Sequence, residues 1–228
     1  MTIALLGSVA SNTNDATSSV TASFTQSAGS DRELYAIVAQ TWVDVGDKVD
    51  TVKANGVDMT LVQTAPATNT ISRVITVWRL LEASLPSNGT YNVVADFGES
   101  IGTGSIFVFM AEGTDQAALE DSDIYSSGSS STSSFTVDTL TANACIFTAT
   151  MHDGLGSFTH GTGQTEIFDI QVNKPTTFTV TASYEIIASP GSNTQTDVYA
   201  TGSDKMAGVV WVVKEKAASD IYPYVVTF

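Results

Sequence analysis

The chain has 228 residues, a net charge of −15 and 43% hydrophobic residues, but only 14% charged ones. That length fills one β-sandwich or barrel core, and the hydrophobic share excludes global disorder. With a pI near 4.1 the chain repels phosphate backbones and anionic lipid surfaces, so neither nucleic acid nor membrane is expected as a partner.

Serine and threonine take the place of the missing charges, at roughly a quarter of all residues. Threonine suits the outer face of a pleated sheet, whereas helical surfaces favour Glu, Lys and Ala. Residues 1–18 are polar apart from a short apolar patch at 3–6 and read as an N-terminal arm. They lack the basic region of a signal peptide, and no stretch reaches the ~18 apolar residues of a membrane span. The expectation is a protein made in the cytoplasm without a signal peptide. SVTASFTQ (19–26) alternates and predicts the first strand.

ELYAIVAQTW (33–42) follows as a nearly uncharged strand. Asn55-Gly56 is the strongest hairpin signal, because both central residues of a type I′ turn need positive φ. RVITVWRLL, TYNVVADF and GSIFVFMAEGTDQA predict three more strands. The pattern lapses after Gly113, and the serine run at 126–134 reads as a mobile, low-complexity loop. Strand patterns resume in FTVDTL, ACIFTATMH, QTEIFDIQV and TFTVTASYEII, and SPGSNTQTD (189–197) reads as a loop. MAGVVWVV (206–213) is a continuous apolar run, as in a strand buried on both faces. The fold expected is all-β: one jelly-roll-like antiparallel sandwich over residues 19–214, with an arm at 1–18 and a tail at 215–228.

Candidate chemistry is sparse. Cys145 sits in an alternating strand and reads as a small core residue. His152, Asp153 and His160 could supply two imidazoles and a carboxylate to a metal, but their spacing matches no ligand motif and the glycines between them indicate a solvated loop. Glu120, Asp121 and Asp123 could offer oxygens to Ca²⁺, yet the EF-hand spacing is absent and a solvated acidic turn is expected. No G-x-S-x-G elbow occurs, so a hydrolytic triad would have to recruit one of the two histidines. The Gly-Thr-Gly segments at 102–104 and 161–163 lack a nucleotide fingerprint and read as turns. Trp42, Tyr91, Tyr125 and Tyr199 could form a sugar-stacking platform, but Trp42 and Tyr91 are expected to pack in or near the core. No catalytic, metal or cofactor residue is therefore assigned.

The order of the pieces resembles a family of phage and environmental-bacterial β-sandwich domains of jelly-roll-like topology. The likeness rests on R-LYAIVA-TW (32–42), the hairpin at 49–62, V-W-R-L (77–80), T-Y-N-V (90–93) and GTDQ (113–116). The serine run, the G-x-GQT-E turn (161–166) and A-x-V-V-W-V-V-K (207–214) complete it. The resemblance implies a non-enzymatic virion structural protein without a cofactor, a capsid decoration (cement) or tail protein located on the virion. Its partners would be the major capsid protein or other virion proteins. A homo-oligomer, a trimer, is expected from the habit of such proteins to sit at symmetry axes. The alternative is a carbohydrate-binding or receptor-binding adhesin. The tail IYPYVVTF, uncharged after Asp220, offers Tyr222, Tyr224, Val226 and Phe228 as interface residues, buried on its own sandwich or added to a neighbour.

Overall fold

The computed structural model describes residues 2–41, 49–66 and 73–217. Within them the chain is an all-β, antiparallel protein with one 3₁₀ turn, Glu82–Ser84. The first sheet contains β1 (Ala4–Gln26), β2 (Glu33–Thr41), β3 (Thr51–Ala54), β4 (Val57–Asp58), β5 (Thr60–Pro66), β6 (Arg73–Leu81) and β7 (Gly89–Glu112). Its order is β4-β3-β7-β2-β6-β5, with β1 also paired to β7. Asn55 (φ 48°) and Gly56 (φ 84°) turn β3 into β4 with the positive dihedrals that the sequence requires there.

β1 and β7 form one long ribbon that folds back on itself. Ala4 pairs with Glu112 at one end and Gln26 with Gly89 at the other. The pairing slips between Thr17 and Ser19, opposite the Gly98 turn (φ 66°). The two halves then face each other. A side chain on Gly104 would run into the Phe97 ring at 2.7 Å, so glycine alone permits the approach. The Asn12 amide also crosses between halves to the Thr21 carbonyl (2.7 Å). Between them lies a core of Val20, Ala22, Phe24, Val93, Ala95 and Phe97 against Leu34, Ala36, Val38 and Ile106.

β2 is buried along its whole length, because alternate residues serve two cores. Tyr35, Ile37 and Ala39 face the second sheet, which contains β8 (Asp121–Ser130), β10 (Ala144–Asp153), β12 (Thr165–Val172), β13 (Phe178–Ile187) and β15 (Asp204–Val213). The order there is β12-β13-β10-β15-β8. Tyr35, Phe109, Phe147 and Trp211 pack at the centre, with ring centroids 5.3–5.7 Å apart. Cys145 belongs to this core, and burial pushes its thiol pKa up.

A third sheet, β11-β14-β9, covers the other face of the second; its strands are β9 (Thr132–Thr139), β11 (Phe158–His160) and β14 (Gly191–Tyr199). Phe135 and Val137 pack there on Ala144, Ile146, Val210 and Val212. β15 is thus buried on both faces, as its apolar run predicts. The molecule is a sandwich with a further β layer on each outer face.

Three expectations need correction. The segment expected as an arm (1–18) supplies the first half of β1, because its backbone groups pair with β7. The serine run at 126–134 is not a loop: it ends β8 and begins β9, with Ser133 fully buried beside the Thr150 hydroxyl (3.5 Å). Residues 191–197 are likewise strand, the greater part of β14. Serine and threonine satisfy strand alternation with hydroxyls, so hydropathy alone does not register it.

Candidate functional site

Among the described residues, buried polar side chains concentrate where the third sheet meets the second. Asp197, on the inner face of β14, is fully buried. Its Oδ2 accepts from the Thr150 hydroxyl of β10 (2.6 Å), and its Oδ1 lies 2.8 Å from His160 Nδ1 on β11. His160 Nε2 lies 3.2 Å from the Thr181 hydroxyl oxygen of β13 and 3.7 Å from the Glu166 carboxylate of β12. Gln164, in the turn before β12, completes the cluster. Its side-chain carbonyl accepts from the backbone N–H groups of Gly161 (2.9 Å) and Thr196 (3.1 Å), and its amide donates to Ser183 Oγ (2.8 Å). The G-x-GQT-E segment is therefore a tie between sheets.

Thr181, His160 and Asp197 stand in the sequence hydroxyl, imidazole, carboxylate. The hydroxyl is fully buried, however, and it donates to the Phe168 carbonyl (2.8 Å). A nucleophile must instead hand its proton to the ring and reach a substrate. What this arrangement does chemically is hold three strands of two sheets together. Burial opposes a charge on His160, but the Asp197 hydrogen bond and charge, with Glu166 and Asp169, outweigh it and raise the pKa. Burial likewise raises the Asp169 carboxyl, against the hydrogen bond from the Phe158 N–H.

The other members of the expected histidine cluster diverge from His160. His152 is buried on β10, and its ring stacks on Tyr199 with centroids 3.7 Å apart. Burial lowers its pKa against the opposing hydrogen bonds that the ring makes to the Ser130 and Asp153 backbone. Asp153 turns the other way, to Arg73 of the first sheet (2.7 Å). The solvated loop expected here is thus corrected: both histidines are strand residues in packed surroundings. No group of three His, Cys, Asp or Glu side chains among the described residues is placed to hold a metal.

The expected acidic turn is corrected too: Asp121 and Asp123 lie in β8, and the three carboxylates have a local role. Glu120 accepts from the Leu140 N–H (2.8 Å) and the Thr141 hydroxyl, and Asp121 accepts from the Asp138 N–H (2.8 Å). These carboxylates cap the turn after β9. Asp123 accepts from its neighbour's N–H, Ile124 (2.8 Å).

The GTDQ segment is a staple. The Thr114 N–H (3.0 Å) and hydroxyl (2.8 Å) both donate to the Asp31 carbonyl. Gln116 donates to the Thr114 hydroxyl (2.8 Å) and accepts from the Glu82 N–H (2.8 Å). Asp115 pairs with Lys214 beyond β15 (3.0 Å), and the Lys216 N–H donates to the Gly113 carbonyl (2.8 Å). Beside it, Glu33 is fully buried and accepts from the Tyr35 hydroxyl, with Arg79 at 4.0 Å; burial raises its pKa despite both partners.

The described aromatic residues considered for sugar stacking form no exposed platform. Tyr91 is buried and donates to Gln26 (2.7 Å), with burial pushing its pKa up to about 12. Tyr199 is buried on His152, Tyr125 packs edge-on against Phe135, and Trp42 lies outside the described residues. Tyr222, Tyr224, Val226 and Phe228 also lie outside them. Asp197, Thr150 and Thr181 are site residues that the sequence reading missed. The period-2 pattern of NTQTDVY was the available signal for Asp197.

Compared with family models, curated proteins and solved structures, the chain finds no match.

Proposed function

We propose that the chain is a non-enzymatic virion structural protein of a bacteriophage, a decoration protein that stabilises the capsid shell through subunit-bridging contacts. The observation that carries this reading is the employment of the motif residues as scaffold. Thr114, Asp115 and Gln116 tie the first sheet to the end of β15, and Gln164 ties the turn before β12 to β13 and β14. The side chains on which the resemblance rests thus serve rigidity.

The outer face of the third sheet fits the same role. Thr132, Ser134, Thr136, Ser192 and Thr194 are exposed there, on strands whose alternate residues are buried. Such a face is rich in hydroxyls and carries the single carboxylate of Asp138 among these strand residues, on a molecule of net charge −15. In this reading the major capsid protein is the partner and assembly is trimeric, with the segment at 219–228 contributing the contact. Immunogold labelling of purified particles is the test. Label on the shell is the expected result. Particles free of the protein, with all of it left in the lysate, would sink the proposal. A variant lacking residues 219–228 should fold yet attach weakly to shells.

A further inference from the structure

His160 is surrounded by acceptors. Nδ1 faces the buried Asp197 carboxylate at 2.8 Å, and Nε2 faces the Thr181 oxygen at 3.2 Å and Glu166 at 3.7 Å. The Thr181 proton is already given to the Phe168 carbonyl. A ring with an acceptor at each nitrogen is satisfied only when both nitrogens carry hydrogen. We propose that His160 is a proton-operated clasp that seats the third sheet on the second, closed when the ring is an imidazolium and loosened when it gives up a proton to solvent.

The charged groups that face the ring are all acids: Asp197 from β14, with Glu166 and Asp169 from β12. β13 supplies the Thr181 hydroxyl, β10 the Thr150 hydroxyl to Asp197, and the turn the Gln164 amide. Glu185 of β13 is held by Gln195 (2.8 Å). Loss of the proton leaves a fully buried carboxylate beside a neutral ring. It also sets the Nε2 lone pair against the Thr181 oxygen. Thr181 can relieve that contact only by turning its hydroxyl away from the Phe168 carbonyl, which sits at the irregularity between Glu166 and Phe168 in the β12–β13 pairing. Glu166, with a side chain 52% exposed, gives the proton a way out.

The direction follows from linkage. The folded-state pKa of His160 lies above the ordinary histidine value, so its contribution is complete below that value and is lost as pH rises through the folded-state pKa. His152 works in reverse, since its pKa is lowered and its burial favours the folded state above the ordinary value. A bulk melting curve would mix the two, so the test resolves them.

The experiment is a ring-proton NMR titration of the full chain from about pH 5 to about pH 9, with amide hydrogen-exchange protection factors over the same range. Expected are a His160 midpoint above that of His152, and protection of β11 and β14 that falls through the His160 midpoint while β2 holds. His160→Gln should abolish that fall. If this variant does not fold, Glu166→Gln, at a half-exposed position, should lower the midpoint. A His160 midpoint at or below the ordinary value overturns the proposal. So does protection that ignores it, a His160→Gln protein with the wild-type pH response, or a midpoint unmoved in Glu166→Gln. None of these outcomes depends on whether the protein decorates a shell.

Discussion

The two outer layers are fastened to the central sandwich by opposite means. The folded half of the β1–β7 ribbon is held by Val20, Ala22, Phe24, Val93, Ala95 and Phe97, all apolar. The third sheet is held partly by Phe135, Val137, Phe158 and Tyr199, and otherwise by Asp197, His160, Gln195 and the buried hydroxyls of Ser133, Thr150 and Thr181. An apolar joint scales with buried area and is indifferent to direction and pH. The polar joint depends on each partner being present, since a lone buried polar group costs more than its hydrogen bond contributes. One molecule therefore carries a joint that tolerates change of solution conditions and another that reports it.

The comparison can be broken most forcefully at Phe24, which is fully buried and edge-on to Tyr91 at 6.0 Å. Phe24→Ala should cost about 3–5 kcal/mol in denaturant unfolding, equally at acid and alkaline pH. A loss that varied with pH would contradict an apolar joint. Next in size is Asp197→Asn, which removes a charge-assisted partner from His160 and Thr150 and should cost about 1.5–3 kcal/mol. Its cost should be greatest at low pH, where the wild-type pair is complete, and shrink above the raised His160 pKa. A uniform cost would reduce Asp197 to an ordinary hydrogen-bond acceptor.

A smaller effect is expected at two polar stitches of the apolar joint. Asn12 and Asn14 donate to the carbonyls of Thr21 (2.7 Å) and Ser19 (3.2 Å) across the fold of the ribbon. Each Asn→Ala change should cost about 0.5–1.5 kcal/mol, read from the urea midpoint. The double variant should also self-associate in light scattering, because those carbonyls then lie open on an edge strand. Monodisperse behaviour would deny them a protective role. Leu140→Ser, at a 66% exposed position of the turn after β9, should stay within about 0.5 kcal/mol and serve as the reference for the rest.

Much of the fold was legible because apolar alternation and turn chemistry are local. The Asn55-Gly56 hairpin, the doubly buried β15 and the nearly uncharged β2 all announce themselves within a few residues. What was hidden had two physical causes. Hydroxyl-rich strands such as β9 bury Ser133 and Phe135 on one face, and serine reads as polar wherever it points. Pairing over long separations has no local signature: nothing near Ala4 names Glu112, and nothing near His160 names Asp197. His160 was singled out from sequence as a candidate metal ligand, but its partner on another strand decides what it does.

The folded ribbon also has a history in time. β1 is synthesised well before its partner, which ends at Glu112, and between them lie β2 to β6. During synthesis β1 must wait unpaired while its neighbours emerge. Its composition suits the wait: from Ala4 to Gln26 it is rich in Ser, Thr and Asn, with few large apolar side chains to aggregate. Pairing of such sequence-distant strands is slow even in a free chain, because loop closure precedes any reward. The ribbon's closure is then the step that commits the N-terminal half, and refolding should be limited by it.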